Sequence, residues 1–418
     1  MSTEIPTTVS DEVLLQNPES ASASVGADAS DVMKVETEST DVVGEIPSFP
    51  NPFRHPLKAI AWIIRILFSF VSLIVLLAII AAIPIVNFLA LGYLLELEGR
   101  VARTGKLRMA FPLLDVAPKF GSILLGTWLC IIPLRFLSGA AADARLVDSD
   151  SFAGRNLGTI TSIVSVLMVL HIYGAIVRGR TLRSFLRPFK NIRWVLRSLF
   201  GNLEVLDECG QHRPWKEVFQ SLRVKYHFSL GVRGFFGALA WLLIPTALFS
   251  VADKAEGGPI IVTIFGGVCL AAVLFYLPFL QANFAAENRF GAWFELRKVS
   301  RLYRRAPLAY FFTVFVVSVL SMPLYLFKVV LPPEDAKWGV TLVFILSIFP
   351  AKILAGWAYH RANSRDYKKW FGWRWLGRTL IVPTLVLYVF ILFFTQAIGE
   401  HGKQVLFEHH AFLLPVPF

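Results

Sequence analysis

The sequence predicts an all-α fold: a polytopic transmembrane helical bundle of about eight helices, with amphipathic helices lying in the cytoplasmic membrane interface. Two observations predict it. Of the 418 residues, 55% are hydrophobic and only 17% are charged, whereas soluble domains carry roughly 25% charged residues. Apolar stretches also recur from residue 60 to residue 398, and a helix of about 20 apolar residues crosses the hydrocarbon core with its backbone groups paired.

Eight stretches meet this length approximately. They are Ile66–Leu95, Ser122–Ser138, Gly158–Val177, Gly234–Val251, Pro259–Asn283, Leu308–Leu331, Trp338–Tyr359 and Thr379–Ile398. We therefore predict a multi-pass transmembrane domain over residues 51–398 and a short non-cytoplasmic tail over 399–418.

The first 50 residues differ in composition from the rest of the chain. They hold ten acidic residues, a single basic residue, Lys34, and no aromatic residue before Phe49. Such a segment buries too little apolar surface to offset its ordering entropy. We predict a disordered acidic tail, for which a protein partner is conceivable, and its start has no basic and apolar signal-peptide pattern.

Basic residues in the connections predict the orientation, because short cytoplasmic loops retain Lys and Arg. Segments 96–121, 178–229, 284–307 and 360–378 hold 28 of them, whereas 139–155, 252–258, 332–337 and 399–418 hold five. The first set is predicted to face the cytoplasm. The C-terminal tail is then predicted to face outward.

The amino end conflicts with a simple count of crossings. Eight full spans with an outside C-terminus place the N-terminus outside, whereas Arg54, Lys58 and Arg65 favour the inside. Pro84 and Asn87 interrupt the first stretch and suit a kink or a re-entrant hairpin. A hairpin entering from inside removes the conflict and is the interpretation we favour; a full span stays open.

A short core carries a family resemblance. It consists of Ile83-Pro-Ile-Val-Asn87, Leu91-Gly-Tyr93, Arg100, Arg103-Thr-Gly105 and Asp115. Residues 83–119 resemble an uncharacterised family of prokaryotic polytopic membrane proteins, a domain of unknown function, in which a Pro-Ile-x-Asn segment runs into Gly-Tyr and a basic loop. The resemblance implies a multi-pass protein of the bacterial cytoplasmic (inner) membrane and no particular activity.

Polar residues inside the predicted spans are candidates for a binding site, since such groups are costly in lipid and tend to face the bundle or a water cavity. They are Asn87, His171, Gln281, Asn283, Glu287 and Lys352. Asn283 and Glu287 lie four residues apart on one helical face. A cation site or a proton relay through Glu287 and His171 is one interpretation; helix packing and snorkelling to the surface is the other.

Several connections read as basic amphipathic helices, which lie in the headgroup plane. In 183–200 and 291–305, the basic stripes are Arg183, Arg187, Lys190 and Arg197, and Arg297, Arg301 and Arg305. In 215–228, an apolar face opposes Lys216, Arg223 and His227. We expect anionic lipids as partners, although an ordinary positive-inside collar is an alternative. No nucleic-acid module is visible.

Enzyme and metal signatures are missing from the sequence. It has no HExxH, GxSxG or GxGxxG motif, and Cys130, Cys209 and Cys269 are scattered without metal-ligand spacing. We therefore predict no catalytic residue, metal or cofactor, which favours a non-enzymatic role. A non-catalytic membrane component binding anionic lipids or partner proteins ranks first, a transporter or channel for a small solute or lipid second, and an enzyme third.

Overall fold

A computed structural model describes residues 49–179, 181–200, 222–251, 259–329, 337–398, 402–409 and 411–414. The chain divides into two units, Met1–Val43 and Gly44–Phe418, and all the described residues belong to the second. They form helices and connections without any strand, which confirms the all-α class. Of the disordered tail predicted over residues 1–50, residues 1–48 lie outside the described residues.

Eleven helices of ten or more residues make up the described part of the chain. They are α1 (Pro56–Ala82), α2 (Asn87–Thr104), α3 (Ala117–Val147), α4 (Phe152–Arg178), α5 (Pro188–Phe200), α6 (Val224–Phe249), α7 (Pro259–Glu287), α8 (Leu296–Arg305), α9 (Pro307–Val329), α10 (Lys337–Asn363) and α11 (Phe371–Ile398). Short helical turns occur at Leu182–Phe185, Leu107–Met109, Phe290–Phe294 and Gly402–Phe407.

Eight of these helices are long and apolar enough to cross a membrane: α1, α3, α4, α6, α7, α9, α10 and α11. This agrees with the eight predicted stretches and makes the chain a multi-pass integral membrane protein. Helix α2 does not qualify, although it is the most enclosed of the long helices: of its 18 residues, 13 are buried.

Local sequence explains where several helices begin and end. Helices α1, α5, α7 and α9 each begin at a proline, whose missing N–H costs nothing in the first turn. The hydroxyl of Ser151 caps α4 by accepting the Gly154 N–H at 2.9 Å. Gly105, with φ of 66°, ends α2 in the left-handed conformation.

The first predicted stretch, Ile66–Leu95, is not one helix. Helix α1 ends at Ala82 and α2 begins at Asn87, so the predicted break at Pro84 is confirmed. Pro84 has no N–H for the helical ladder, and Ile85 next to it has φ of 69°. The prediction of a loop after Leu95 is wrong, because α2 continues to Thr104.

The chain turns back on itself at this break. Phe70 of α1 packs on Phe111, with ring centroids 4.7 Å apart, while the Tyr93 hydroxyl of α2 donates to the Pro112 carbonyl at 2.7 Å. Residues 70 and 93, on either side of the break, thus contact the same short segment. Helices α1 and α2 form a hairpin, which brings Pro56 and Thr104 to the same end of the bundle.

Helix α2 packs against α1, α6, α7 and α10. Its crossing with α6 is especially close: a Cβ on Gly92 would lie 1.7 Å from the His227 carbonyl oxygen, and a Cβ on Gly231 would lie 1.9 Å from the Phe88 carbonyl oxygen. Only glycine allows the two backbones to meet at this distance. The crossing lies next to the polar half of α2, residues 96–104, in which Glu96 and Glu98 are buried and Arg103 reaches the surface.

Residues 402–409 and 411–414, after α11, belong to the core and are called the segment 402–414 below. Val405, Leu406 and Phe412 are buried in a cluster shared with α6, α7, α9 and α11. His409 is bonded to the Thr246 hydroxyl of α6 at 2.8 Å. The side of the membrane on which this tail lies stays a prediction.

The amphipathic predictions have different outcomes. Arg183, Arg187, Lys190 and Arg197 are all exposed, as a surface stripe requires, whereas residues 215–221 lie outside the described part. His227, predicted on a polar face, is only 4% exposed. That placement is wrong because the chain from Val224 onward already belongs to α6, whose crossing with α2 buries this turn.

Candidate functional site

One end of the bundle gathers the ends of four helices. Arg103 of α2 donates to the Ala285 carbonyl of α7 at 3.1 Å, Arg233 of α6 donates to Asn288 at 2.8 Å, and His360 of α10 is bonded to the Ala102 carbonyl at 3.2 Å. We call this the basic end, because the Arg- and Lys-rich connections 284–307 and 360–378 lie here. At this end, side chains of one helix bond to backbone carbonyl groups near the end of another.

Just inside the basic end lies a buried ion pair. The Lys352 ammonium of α10 is 3.4 Å from the Glu98 carboxylate of α2 and donates to Gln281 of α7. Glu98 and Gln281 are 0% exposed and Lys352 is 3% exposed. We call these three residues the central cluster. Pairing offsets part of the cost of burying each charge.

The segment 402–414 reaches the central cluster from the other side. The Gln281 amide donates to the Phe412 carbonyl at 3.1 Å, and the Lys352 ammonium lies 5.9 Å from the centre of the Phe412 ring. Gln281 is thus held by Lys352 through its oxygen and by Phe412 through its nitrogen. Four parts of the chain, α2, α7, α10 and 402–414, close around one buried cation.

Sequence analysis identified Gln281 and Lys352 but missed Glu98 and its neighbour Glu96. Glu96 accepts hydrogen bonds from Arg100 at 2.9 Å, Arg103 at 3.3 Å and the Tyr226 hydroxyl at 2.6 Å. Both glutamates were assigned to a loop because the apolar run ends at Leu95. The i,i+4 spacing of Glu96 and Arg100 is the signal that favoured a continuing helix.

Asn283 belongs to a separate network. Its amide donates to the Ala292 carbonyl and to Glu295, each at 3.0 Å, and its oxygen accepts the Tyr359 hydroxyl at 2.8 Å. The hydrogen bond from Asn283, with Arg289 and Lys298 nearby, lowers the pKa of the Glu295 carboxyl. Asn283 therefore fastens the Phe290–Phe294 turn to α7 and α10.

Glu287 faces the surface of the basic end. It pairs with Arg289 at 2.6 Å and with Lys298 of α8. Burial opposes the charged form of Lys298, but the contacts with Glu287 and Tyr359 together outweigh it and raise the pKa of this ammonium. Although Glu287 shares a helical face with Asn283, the described contacts join neither residue to the central cluster.

His171 and Asn87 lie elsewhere. The two ring nitrogens of His171 contact the Phe185 carbonyl at 3.0 Å and the Asn191 amide at 3.2 Å, so it ties α4 to the start of α5. Asn87 opens α2, and its side-chain oxygen has no partner among the described residues. A proton relay through Glu287 and His171 requires a connection between them, and the described contacts do not provide one.

Helix α8 carries the highest density of positive charge in the described part of the chain. Five of its ten residues are basic. Val299, Leu302 and Tyr303 are buried, whereas Arg297 and Arg301 are exposed and Arg305 is partly exposed. The helix is thus attached to the core by one face and presents its guanidinium groups on the other.

Within the described residues, no group of three or more His, Cys, Asp or Glu side chains is arranged to hold a metal ion.

Comparison with known proteins adds one match. A family model described as "Protein of unknown function (DUF4013)" matches residues 216–332, the range that holds α6, α7, α8 and α9. It supports an uncharacterised family, although over a different range from the resemblance at residues 83–119. No curated protein matches, and no solved structure matches.

Together these findings define a multi-pass integral membrane protein that is similar, over about a quarter of its length, to a family of unknown function.

Proposed function

We propose that the protein is a non-catalytic membrane component whose basic end binds anionic phospholipid headgroups, in the cytoplasmic leaflet of a bacterial inner membrane. The observation that carries this proposal is α8. Its buried face holds the helix in place, so Arg297 and Arg301 are positioned at the basic end before any ligand arrives. Prior positioning reduces the entropy lost on binding.

The size of the effect follows from the number of charges. A basic residue near an anionic membrane surface contributes about 1 kcal/mol, and the attraction falls off within a Debye length. Helix α8 alone supplies four such residues in addition to Lys298, whose charge Glu287 already neutralises. The exposed stripe of Arg183, Arg187, Lys190 and Arg197 supplies four more. The sum is enough to enrich anionic lipid around this end without a dedicated pocket.

The α1–α2 hairpin supports the proposed orientation. Because the chain turns back at residues 83–86, the start of α1 and the end of α2 lie at the basic end. Arg54, Lys58 and Arg65 then join the other cytoplasmic charges, which removes the conflict between the N-terminal charges and an outward C-terminus. The acidic N-terminal tail would meet any protein partner in the cytoplasm.

The test uses the full chain in nanodiscs of mixed phosphatidylglycerol and phosphatidylcholine. We expect enrichment of phosphatidylglycerol around the wild type, falling as salt is raised. The variant R297Q/R301Q/R305Q should lose much of this enrichment. The control variant R145Q/R155Q removes exposed charges from the adjoining ends of α3 and α4 and should keep the enrichment. Equal lipid composition around the wild type and the charge-neutralised variant would refute the proposal.

A transporter or channel is the second candidate, and the central cluster favours it. Ionisable residues inside a membrane bundle often mark ion or proton paths, and Glu98 and Lys352 are such residues. We expect E98Q/K352M, in which neither charge remains, to abolish any flux that the wild-type protein supports in proteoliposomes, with insertion unchanged. Flux that persists in this variant would exclude the central cluster from the path.

A further inference from the structure

A groove of about 420 Å³ opens between α7, α8 and α11. Its walls are apolar: Ala271 and Ala272 come from α7, and Val382 and Val386 from α11. The two valines are 55% and 57% exposed, so the groove is open toward the side of the bundle. Because α7 and α11 are both candidate spans, this side faces hydrocarbon when the protein is in a membrane.

The end of the groove at the basic end is cationic. Arg304 of α8 and Arg378 of α11 line it, together with Ser300 and Tyr303, and none of its described lining residues is acidic. This distinguishes it from the Glu287 and Glu295 surface nearby, where carboxylates already neutralise the bases. The two guanidinium groups are therefore available to an anion.

The cationic end is held in position by neighbouring contacts. The Arg378 guanidinium lies 5.8 Å from the centre of the Tyr303 ring, and the Tyr303 hydroxyl donates to the Arg374 carbonyl. The Lys369 N–H donates to the Arg304 carbonyl at 3.0 Å, which joins the end of α8 to the connection before α11. The two arginines thus come from elements that are fastened to each other.

The dimensions of the groove suit an amphiphile. Arg378 and Val386 are eight residues apart on α11, which is about 12 Å along the helix axis. One ligand could place an anionic group at the arginines and an apolar chain along the valines. A water-soluble phosphate would use only the first part of this site and leave the apolar walls uncovered.

We infer that this groove binds one anionic phospholipid molecule, with its phosphate at Arg304 and Arg378 and an acyl chain between α7 and α11. Guanidinium groups bind phosphate through paired charge-assisted hydrogen bonds. Two of them, with no carboxylate among the described residues that line the groove, favour a net-negative headgroup over a zwitterionic one. The inference rests on the proposed function, and it adds a defined site to a diffuse attraction.

The experiment measures lipid retained by the full chain in detergent after dilution, by native mass spectrometry. Phosphatidylglycerol is the probe and phosphatidylcholine the reference. We expect the wild type to retain one phosphatidylglycerol and R304Q/R378Q to bind it at least about tenfold more weakly, the effect of one lost charge-assisted hydrogen bond. The matched variant R297Q/R301Q also removes two positive charges, but from residues of α8 that do not line the groove. It should retain the lipid.

A third variant tests the apolar part without changing charge. Ala272 is exposed, and A272W should fill the groove, displace the retained lipid and leave the salt-dependent enrichment in nanodiscs intact. Retention of the lipid by A272W would overturn the inference. Equal weakening in the two arginine variants would overturn it too, while leaving the proposed function standing. No preference for phosphatidylglycerol in any assay would refute both.

Discussion

Lys352 shows how far single residues could be interpreted from the sequence. A lysine within an apolar stretch is conspicuous, so it was a candidate from the start, and Gln281 was one for the same reason. Their partner Glu98 was not, because it lies in a mixed run that ends the apolar stretch. Glu98 is buried because α6, α7 and α10 pack around α2. Such contacts between distant parts of the chain cannot be predicted from local composition.

The buried pair makes a prediction about stability. K352M should destabilise the protein by about 3–5 kcal/mol, because it leaves the Glu98 carboxylate buried without its cation. The double variant E98Q/K352M should recover most of that loss, since neither charge then remains. Thermal unfolding of the purified protein in detergent measures both. Additive losses in the double variant would show that the two residues are not coupled.

Glu295 predicts a pH dependence. Its folded-state pKa is lowered, so the stability it contributes is present above its unfolded-state pKa, near 4.3, and is lost as pH falls through the folded value. The difference in unfolding free energy between the wild type and E295Q should therefore shrink as the pH is lowered from 7 toward 3. Parallel curves for the two proteins would contradict this assignment.

At the scale of helices, hydropathy predicted the lipid-facing helices correctly but ended the helical stretch at Leu95, nine residues before the end of α2 at Thr104. The predicted stretches after the first overlap α3, α4, α6, α7, α9, α10 and α11 because lipid selects for apolar residues on every exposed face. Helix α2 is surrounded by protein instead, so its second half can carry Glu96, Glu98 and Arg100. A helix of this kind has no hydropathy signature, and its end at Gly105 was read as part of a loop.

The α2–α6 crossing supplies the prediction at this scale. G92A should cost at least about 3 kcal/mol, because its methyl group would fall within bonding distance of the His227 carbonyl and force two backbones apart. G139A is the matched control: a Cβ there meets nothing within 4 Å, and alanine favours the helix. We expect G139A to give the wild-type gel-filtration profile and G92A to aggregate. A monodisperse, fully stable G92A would contradict the close crossing.

For the whole molecule, composition was sufficient to predict the class and the number of apolar helices. The hairpin at residues 83–86 was predicted from Pro84 and Asn87, and the structure adds the contacts that turn the chain back. Two features could not be predicted from the sequence. One is the groove, whose arginines at 304 and 378 are 74 residues apart; the other is the burial of the segment 402–414. Both depend on long-range packing, which residue periodicity does not report.

The topology makes a prediction that labelling can check. In a background lacking Cys130, Cys209 and Cys269, single cysteines at the exposed positions Lys58 and Arg301 should react from the same side of the membrane. A cysteine at Ser149, in the α3–α4 connection, should react from the opposite side. Membrane-impermeant maleimide applied to inside-out and right-side-out vesicles distinguishes the two. Lys58 reacting together with Ser149 would mean that α1 and α2 do not form a hairpin from the basic end.

The buried position of 402–414 has a consequence for biosynthesis. Gln281 donates to the carbonyl of Phe412, which lies 131 residues further along the chain. A ribosome needs a period on the order of ten seconds to add that many residues. During that interval the α6 and α7 segments are already synthesised, while the residues that complete their shared interior have not yet emerged. We expect this interior to be accessible to membrane proteases until α11 and residues 402–414 have been synthesised. Docking of Phe412 on Gln281 follows that synthesis, and the yield of folded protein should depend on how quickly it follows.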